Sequence, residues 1–353
     1  MISNSDITRK IEAAKIALAD HLEKTENDCL KGFEIISINP RPFSTIVHIR
    51  MITPRINKHL VMKTVNHHPV NKTITDRENQ AIVEFNILKD LYPKFLKVEK
   101  CSVPRPIFVL PEIETYLMEF VDGRPLIDEV KWARYLSPEK KFRRLQDYFL
   151  NSGKWLRYFQ EFTGVRETDS KALDLVMEWA EDRLRLIEKS GHPNCRREAL
   201  APVRCFLKDQ LEKLSGTKIP VCGRHSDFQP LNILVGQNGV TVIDFMGYHE
   251  DCIAVDFLKM MVYLEDEKKC VTASSRRVER LRDKFLEGYG RLPVVPVPAL
   301  LICEAMQRIV SLLWNIISLR KRFHHHFEAD VRIKEHVDWL TAGDRRVSLW
   351  PCI

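Results

Sequence analysis

Asp227 stands two residues after His225 and five before Asn232, in His225-Ser226-Asp227-Phe228-Gln229-Pro230-Leu231-Asn232. A carboxylate there could accept a hydrogen bond from an alcohol and take its proton. The Asn232 amide oxygen is a hard donor of the kind Mg²⁺ prefers, and His225 is better suited to bracing the loop than to reacting. Asp244, in Ile243-Asp244-Phe245, offers a second hard oxygen at the end of the hairpin that starts at Asn232. Lys63 is a lone cation in the apolar run Leu60-Val61-Met62-Lys63-Thr64-Val65, placed to reach phosphate oxygens. Glu84, in a helical stretch, could hold that lysine; Glu78 is the competing partner. Each has a plain structural reading alone: a polar turn, an aspartate after a strand, an outward lysine, a solvated glutamate. In this chain order they supply what phosphoryl transfer requires: a cation on the phosphates, a carboxylate to position it, a group to orient the attacking hydroxyl, and oxygen donors for metal.

The elements around these residues change character along the chain. Ile7, Ile11, Ala14, Leu18 and Leu22 repeat at three- and four-residue spacing, which predicts an amphipathic helix over 6–24. Residues 33–36, 45–49 and 59–65 are β-rich and separated by turns containing Pro and Asn. A helix is predicted over 77–91, with Ile82, Phe85, Leu88 and Leu91 on one face, then strands over 104–109 and 115–121. Beyond Asp122-Gly123-Arg124-Pro125 the pattern is mainly helical, with stripes such as Phe142, Leu145, Phe149, Leu156 and Phe159. Asn238-Gly239 marks a hairpin, since both residues tolerate positive φ. A β-rich first third and a helical remainder predict an α+β chain with two lobes. The expected divisions are a helical extension over 1–30, a sheet-and-helix lobe over 31–121, and a helical lobe over 122–353 carrying the Asp227 loop and the metal site.

Composition bounds the chemistry. The 353 residues carry a net charge of +7, a mild excess that fits an anionic ligand such as a nucleotide or an anionic membrane surface. The basic clusters, Lys140 to Arg144, Arg276 to Lys284 and Arg320 to Arg322, read first as solvated helix faces. Aromatic residues are not interleaved with them in a way that argues for nucleic acid. The nine cysteines include no C-x-x-C pair, so a reducing cytosol and free thiols are expected. No basic-then-apolar leader is visible. The apolar stretch Ala299–Leu319 is interrupted by Glu304 and Arg308 and reads as a core helix rather than a transmembrane one, leaving only peripheral membrane contact open. His324-His325-His326, with Glu328 and His336, cannot all turn toward one ion.

The Asp227 loop, Ile243-Asp244-Phe245 and Asp256 twelve residues on resemble the aminoglycoside phosphotransferase and choline kinase-like group of small-molecule kinases, whose loop reads H-G-D-x-H-P-x-N. The resemblance covers roughly residues 33–126 and 220–265. It implies a two-lobed protein-kinase-like fold, use of ATP and Mg²⁺, and transfer of a phosphoryl group to a hydroxyl of a small molecule. It implies Asp227 as base, Asn232 and Asp244 as metal ligands, Lys63 and Glu84 at the phosphates, and Asp256 as a structural tie to the loop. The segment Leu117 to Leu126 looks like the family hinge, where the backbone of Glu119 and Val121 would bond adenine. This sequence departs from the pattern in three places. Ile38-Asn39-Pro40-Arg41-Pro42-Phe43-Ser44-Thr45, in place of a phosphate-covering loop, has no glycine, leaving Ser44, Thr45 or Arg41 to contact phosphate. Ser226 replaces a glycine, and Gln229 the second histidine. Met246 after Asp244-Phe245 and the lack of an A-P-E segment favour a small-molecule acceptor over a protein. A pseudokinase-like binding protein is the alternative from another class, and GTP is not separated from ATP.

Overall fold

The computed structural model describes residues 4–66, 79–133, 137–270, 273–291, 293–321, 326–342 and Leu349. The strands in chain order are β1 (Gly32–Pro40), β2 (Ser44–Ile52), β3 (Asn57–Val65), β4 (Cys101–Ser102), β5 (Pro106–Leu110), β6 (Thr115–Glu119), β7 (Arg124–Pro125), β8 (Arg166–Thr168), β9 (Ile219–Arg224), β10 (Ile233–Gly236), β11 (Gly239–Val242) and β12 (His249–Cys252). The helices are α1 (Asn4–His21), α2 (Gln80–Phe95), α3 (Leu126–Ala133), α4 (Glu139–Thr163), α5 (Asp174–Lys189), α6 (Arg197–Glu212), α7 (Ala254–Lys268), α8 (Ser275–Tyr289), α9 (Val297–Lys321) and α10 (His326–Thr341). They form two compact units, Met1–Gly123 with Gly236–Tyr248, and Arg124–Val235 with His249–Ile353.

The first unit is built on a five-stranded antiparallel sheet, ordered β1-β2-β3-β6-β5. Strand side chains alternate between faces, and here the two faces differ sharply. Val47, Ile49, Met51, Leu60, Met62 and Leu117 form one apolar surface, covered by Ile7, Ile11, Ala14 and Leu18 of α1 and by Leu22. The predicted amphipathic helix thus packs its whole stripe on the sheet. The register Ile46↔Lys63↔Tyr116 and His48↔Val61↔Met118 puts Lys63 on the opposite face. Helix α2 is capped by Asn79, whose side chain accepts from the Ile82 N–H. Its buried stripe is Ala81, Glu84, Ile87, Leu88 and Leu91. The expected face of Ile82 and Phe85 is therefore rotated, and the new stripe contains a glutamate. Residues 77 and 78 of the predicted helix, including Glu78, lie outside the described residues.

The second unit is mainly helical, as the apolar stripes predict: Phe142, Leu145, Phe149, Leu156 and Phe159 are all buried on α4. Gly153 of α4 and Gly288 of α8 let these helices approach backbone to backbone; a Cβ on either would collide with a carbonyl oxygen, of Phe285 or Leu150. That approach supports an aromatic stack in which Trp155 lies over Phe159 and Phe228, at centroid distances of 5.0 and 5.6 Å, and Phe228 meets Phe285. The sequence reading missed one feature, a three-stranded antiparallel sheet of β8, β9 and β12. Pro220 and Gly223 interrupt the strand signal of β9, which is nonetheless buried along its length. Among the described residues one stretch, Val297–Leu319 of α9, is long and apolar enough to cross a membrane, and 67% of it is buried within the protein. Its Glu304 is matched by Arg308, one turn on, at 2.8 Å.

Candidate active site

In the first unit the structure gathers three of the expected residues. The Lys63 ammonium donates to Glu84 Oε1 at 2.7 Å and to Asp244 Oδ1 at 2.6 Å. The Phe245 N–H donates to the same Glu84 oxygen at 2.8 Å, so Glu84 fixes the lysine and the backbone after Asp244 together. Burial alone lowers the Lys63 pKa, but Asp244 and Glu84 outweigh it and hold the ammonium charged. Burial also pushes the Glu84 carboxyl upward, against the pull of Lys63. Strand β11, paired in parallel with β4, ends two residues before Asp244. Asp244 itself has φ of +71°, a left-handed conformation that costs most side chains about 1–2 kcal/mol and that Asp tolerates better.

The other expected residues of this unit are placed as follows. Ser44 is buried and paired with Val65, on the Lys63 face of the sheet and one same-face pair nearer the hairpin. The hairpin has only Arg41, Pro42 and Phe43 outside strands. Its ends are tied by the Arg41 N–H to the Ser44 carbonyl, and Asn66 braces it through its N–H to Phe43 O and its Nδ2 to Arg41 O. None of residues 38–45 has positive φ, which is why this loop dispenses with glycine. Glu119 points its carboxylate to the α1 face, where Lys58 and Arg105 bind it at 3.1 and 3.3 Å. Its N–H donates to the Arg105 carbonyl at 2.9 Å. Val121 follows in irregular chain. Sequence reasoning missed an aromatic group on the Lys63 face, His48 and His59 against Phe120 at 5.6 and 5.9 Å; strand alternation from Lys63 would have found it.

In the second unit the loop is held from below and from one side. His225 is fully buried with its ring edge-on to Trp155, and its N–H donates to Asp256 Oδ2 at 2.6 Å. Asp256 is thus the tie to the loop that the family resemblance implied. Asn232 Nδ2 donates to the Asp227 carbonyl at 3.0 Å and to its Oδ2 at 2.7 Å, while Gln229 Nε2 spans both carboxylate oxygens. Ser226, where the family pattern has glycine, adopts φ of +73°, and its hydroxyl lies 3.4 Å from His249 Nδ1.

Lys259 of α7 was not foreseen. It pairs with Asp227 Oδ1 and donates to the Ser226 carbonyl at 3.2 Å. The signal was available: Lys259 stands three residues after Asp256 in an otherwise apolar stretch, and that spacing puts both on one helix face. Burial raises the Asp227 carboxyl, but Lys259, with His225 and Gln229, overcomes this and holds it below the ordinary 3.8. Gln229, Leu231 and Lys259 also line a cavity of about 630 Å³ whose other walls come mainly from α7, α9 and α10. His324 and His325 lie outside the described residues; His336 pairs with Asp266 at 2.9 Å.

Comparison with known proteins bears on the fold and the family. No curated protein sequence matches the chain. Among solved structures, a glucosamine kinase in complex with glucosamine, ADP and inorganic phosphate aligns over 87% of this chain and 94% of its own, with a TM-score of 0.55 at 12% identity. The choline kinase of Streptococcus pneumoniae aligns over 93% and 99%, with a TM-score of 0.51 at 15% identity. A thermostable mutant of an aminoglycoside phosphotransferase aligns over 92% and 100%, with a TM-score of 0.50 at 10% identity. The fold is the protein-kinase-like α+β fold these proteins share. A model of the phosphotransferase enzyme family matches residues 78–301, a span that includes Glu84, the Asp227 loop, Asp244 and Asp256. The chain therefore belongs to the phosphotransferase enzyme family.

Proposed function

We propose that the protein is an ATP-dependent small-molecule kinase that moves the γ-phosphoryl of Mg-ATP to a hydroxyl of a sugar, glycoside or amino alcohol. The observation that carries this reading is the Asp227 carboxylate, held ionised by Lys259 and oriented by Asn232 and Gln229. It takes the acceptor proton at Oδ2, the oxygen not paired with Lys259, as the acceptor oxygen bonds to phosphorus and the β–γ bridging bond breaks. Lys63 neutralises phosphate charge, and Glu84 keeps it aimed. Asn232 and Asp244 fit a magnesium ion chemically, since the bonds to Asp227 and Lys63 use Asn232 Nδ2 and Asp244 Oδ1 and each residue retains a hard oxygen. Mg-ATP supplies the transferable phosphoryl group and, in ADP, a leaving group whose charge the metal offsets. The carbonyl of Glu119 and the N–H of Val121 would meet adenine, and Ser44 lies on the face that would meet the phosphates.

A pseudokinase-like binding protein is the second reading, favoured by the hairpin at Arg41–Phe43: Pro40 and Pro42 have no N–H to offer phosphate. One assay separates the two. ADP release from Mg-ATP is measured across sugars, aminoglycosides, choline and homoserine. Acceptor-dependent release supports the kinase; nucleotide-dependent stabilisation with no release from any acceptor supports the binding protein.

A further inference from the structure

We infer that the acceptor taken by the 630 Å³ cavity of the second unit is a neutral, polyhydroxylated molecule of mono- or disaccharide size, held by the Trp314 ring and the amides of Gln307 and Asn315. Its role as acceptor rests on the kinase reading; its binding does not. The volume lies within the roughly 300–1,000 Å³ of small-molecule sites, and Gln229 and Lys259 in its wall place it against the Asp227 cluster.

The charged groups of the wall are occupied by the protein itself. Asp266 accepts from the Ser311 hydroxyl and faces His336 Nε2 at 2.9 Å. Lys259 is spent on Asp227 and the Ser226 carbonyl. Arg332 donates to the Asp266 carbonyl at 2.9 Å and touches the Cys270 sulfur, and Glu267 and Glu328 are engaged as well. An aminoglycoside or other protonated amine would need a carboxylate with no other partner, and the wall does not offer one; a quaternary ammonium could instead rest on an aromatic face, so choline is the competitor the test includes.

What it offers is neutral. Gln307 is only 3% exposed, lines the cavity, and its Nε2 has no partner among the described residues. A buried amide left unpaired is costly, and a ligand hydroxyl would complete it. Asn315 donates through Nδ2 to the Ser311 carbonyl at 2.9 Å, which leaves its Oδ1 as an acceptor. Trp314 lines the same cavity and is 59% exposed, a flat apolar surface suited to the C–H face of a sugar ring.

The test is isothermal titration of glucose, galactose, maltose, myo-inositol, choline and kanamycin into the full chain without nucleotide. At least one neutral polyol should bind, more tightly than choline and kanamycin. Gln307→Leu and Trp314→Ala should each weaken that binding by about tenfold or more, as loss of a buried hydrogen bond or a ring contact does. Gln307→Leu should keep its melting temperature, because it deletes an unpaired donor. No polyol binding, tighter binding of choline or kanamycin, or polyol binding unchanged in both variants would overturn the inference. Polyol binding without ADP release from Mg-ATP would sink the kinase reading alone. ADP release with choline alone would sink this inference and leave that reading standing.

Discussion

In the first unit the side chains of Lys63, Glu84 and Asp244 are 3%, 0% and 29% exposed, whereas in the second Lys259 and Asp227 are 16% and 39% exposed. The residue types are the same and the distances nearly so. What differs is water. In the buried cluster each charge depends on the others, because an ion left alone without solvent has nothing else to stabilise it. In the half-open cluster solvent can take over part of a missing partner's role. The first arrangement suits a fixed grip and the second suits a group that must meet a substrate and change protonation.

The largest effect on stability should come from breaking the buried cluster. Lys63→Met leaves Glu84 and Asp244 facing each other uncompensated and should cost about 3–5 kcal/mol in urea unfolding. An equal loss from Lys259→Met would erase the distinction between the clusters. A smaller effect sits at Ser226. Ser226→Gly relieves a left-handed serine and should stabilise by about 0.5–1 kcal/mol after the added freedom of the unfolded glycine is counted. Destabilisation would mean that the contact with His249 outweighs the backbone strain. The smallest effect concerns pH. Because the Asp227 carboxyl is held below 3.8, its stabilisation is fully present above that value and is lost as pH falls through the folded-state pKa. Lys259→Met removes the main opposition to burial and lets the carboxyl rise. The melting-temperature gap between native protein and variant should therefore be small near about pH 3 and widen by about pH 6; a gap independent of pH would assign Lys259 a purely packing role.

The legible parts of this molecule are those where a period or a spacing has one physical meaning. The α1 stripe, β2, β3 and the α4 stripe bury most of the apolar residues their repeats pick out, whereas the edge strand β1 leaves Ile35, Ile36 and Ile38 exposed. That Lys63 meets Glu84 and Asp244, and Asn232 meets Asp227, was legible because phosphoryl transfer, the chemistry the reading expected, needs few residue types in a set order. Glu84 was harder, since a charged residue inside an apolar helical stripe looks like an interruption until its partner is seen. The β8-β9-β12 sheet was illegible because two of its strands have only three and four residues and the third carries Pro220 and Gly223. The cavity was missed for another reason: its walls depend on where helices far apart in sequence pack, which local spacing does not specify.

The contrast between the buried cluster and the half-open one, and the base role proposed for the latter, are tested most directly at Asp227. Mg-ATP binding and turnover are measured side by side for the native protein and Asp227→Ala, with whichever acceptor supports ADP release. The account predicts that the variant keeps its nucleotide affinity while turnover falls by roughly 10²–10⁴-fold. Near-normal turnover in Asp227→Ala would contradict it.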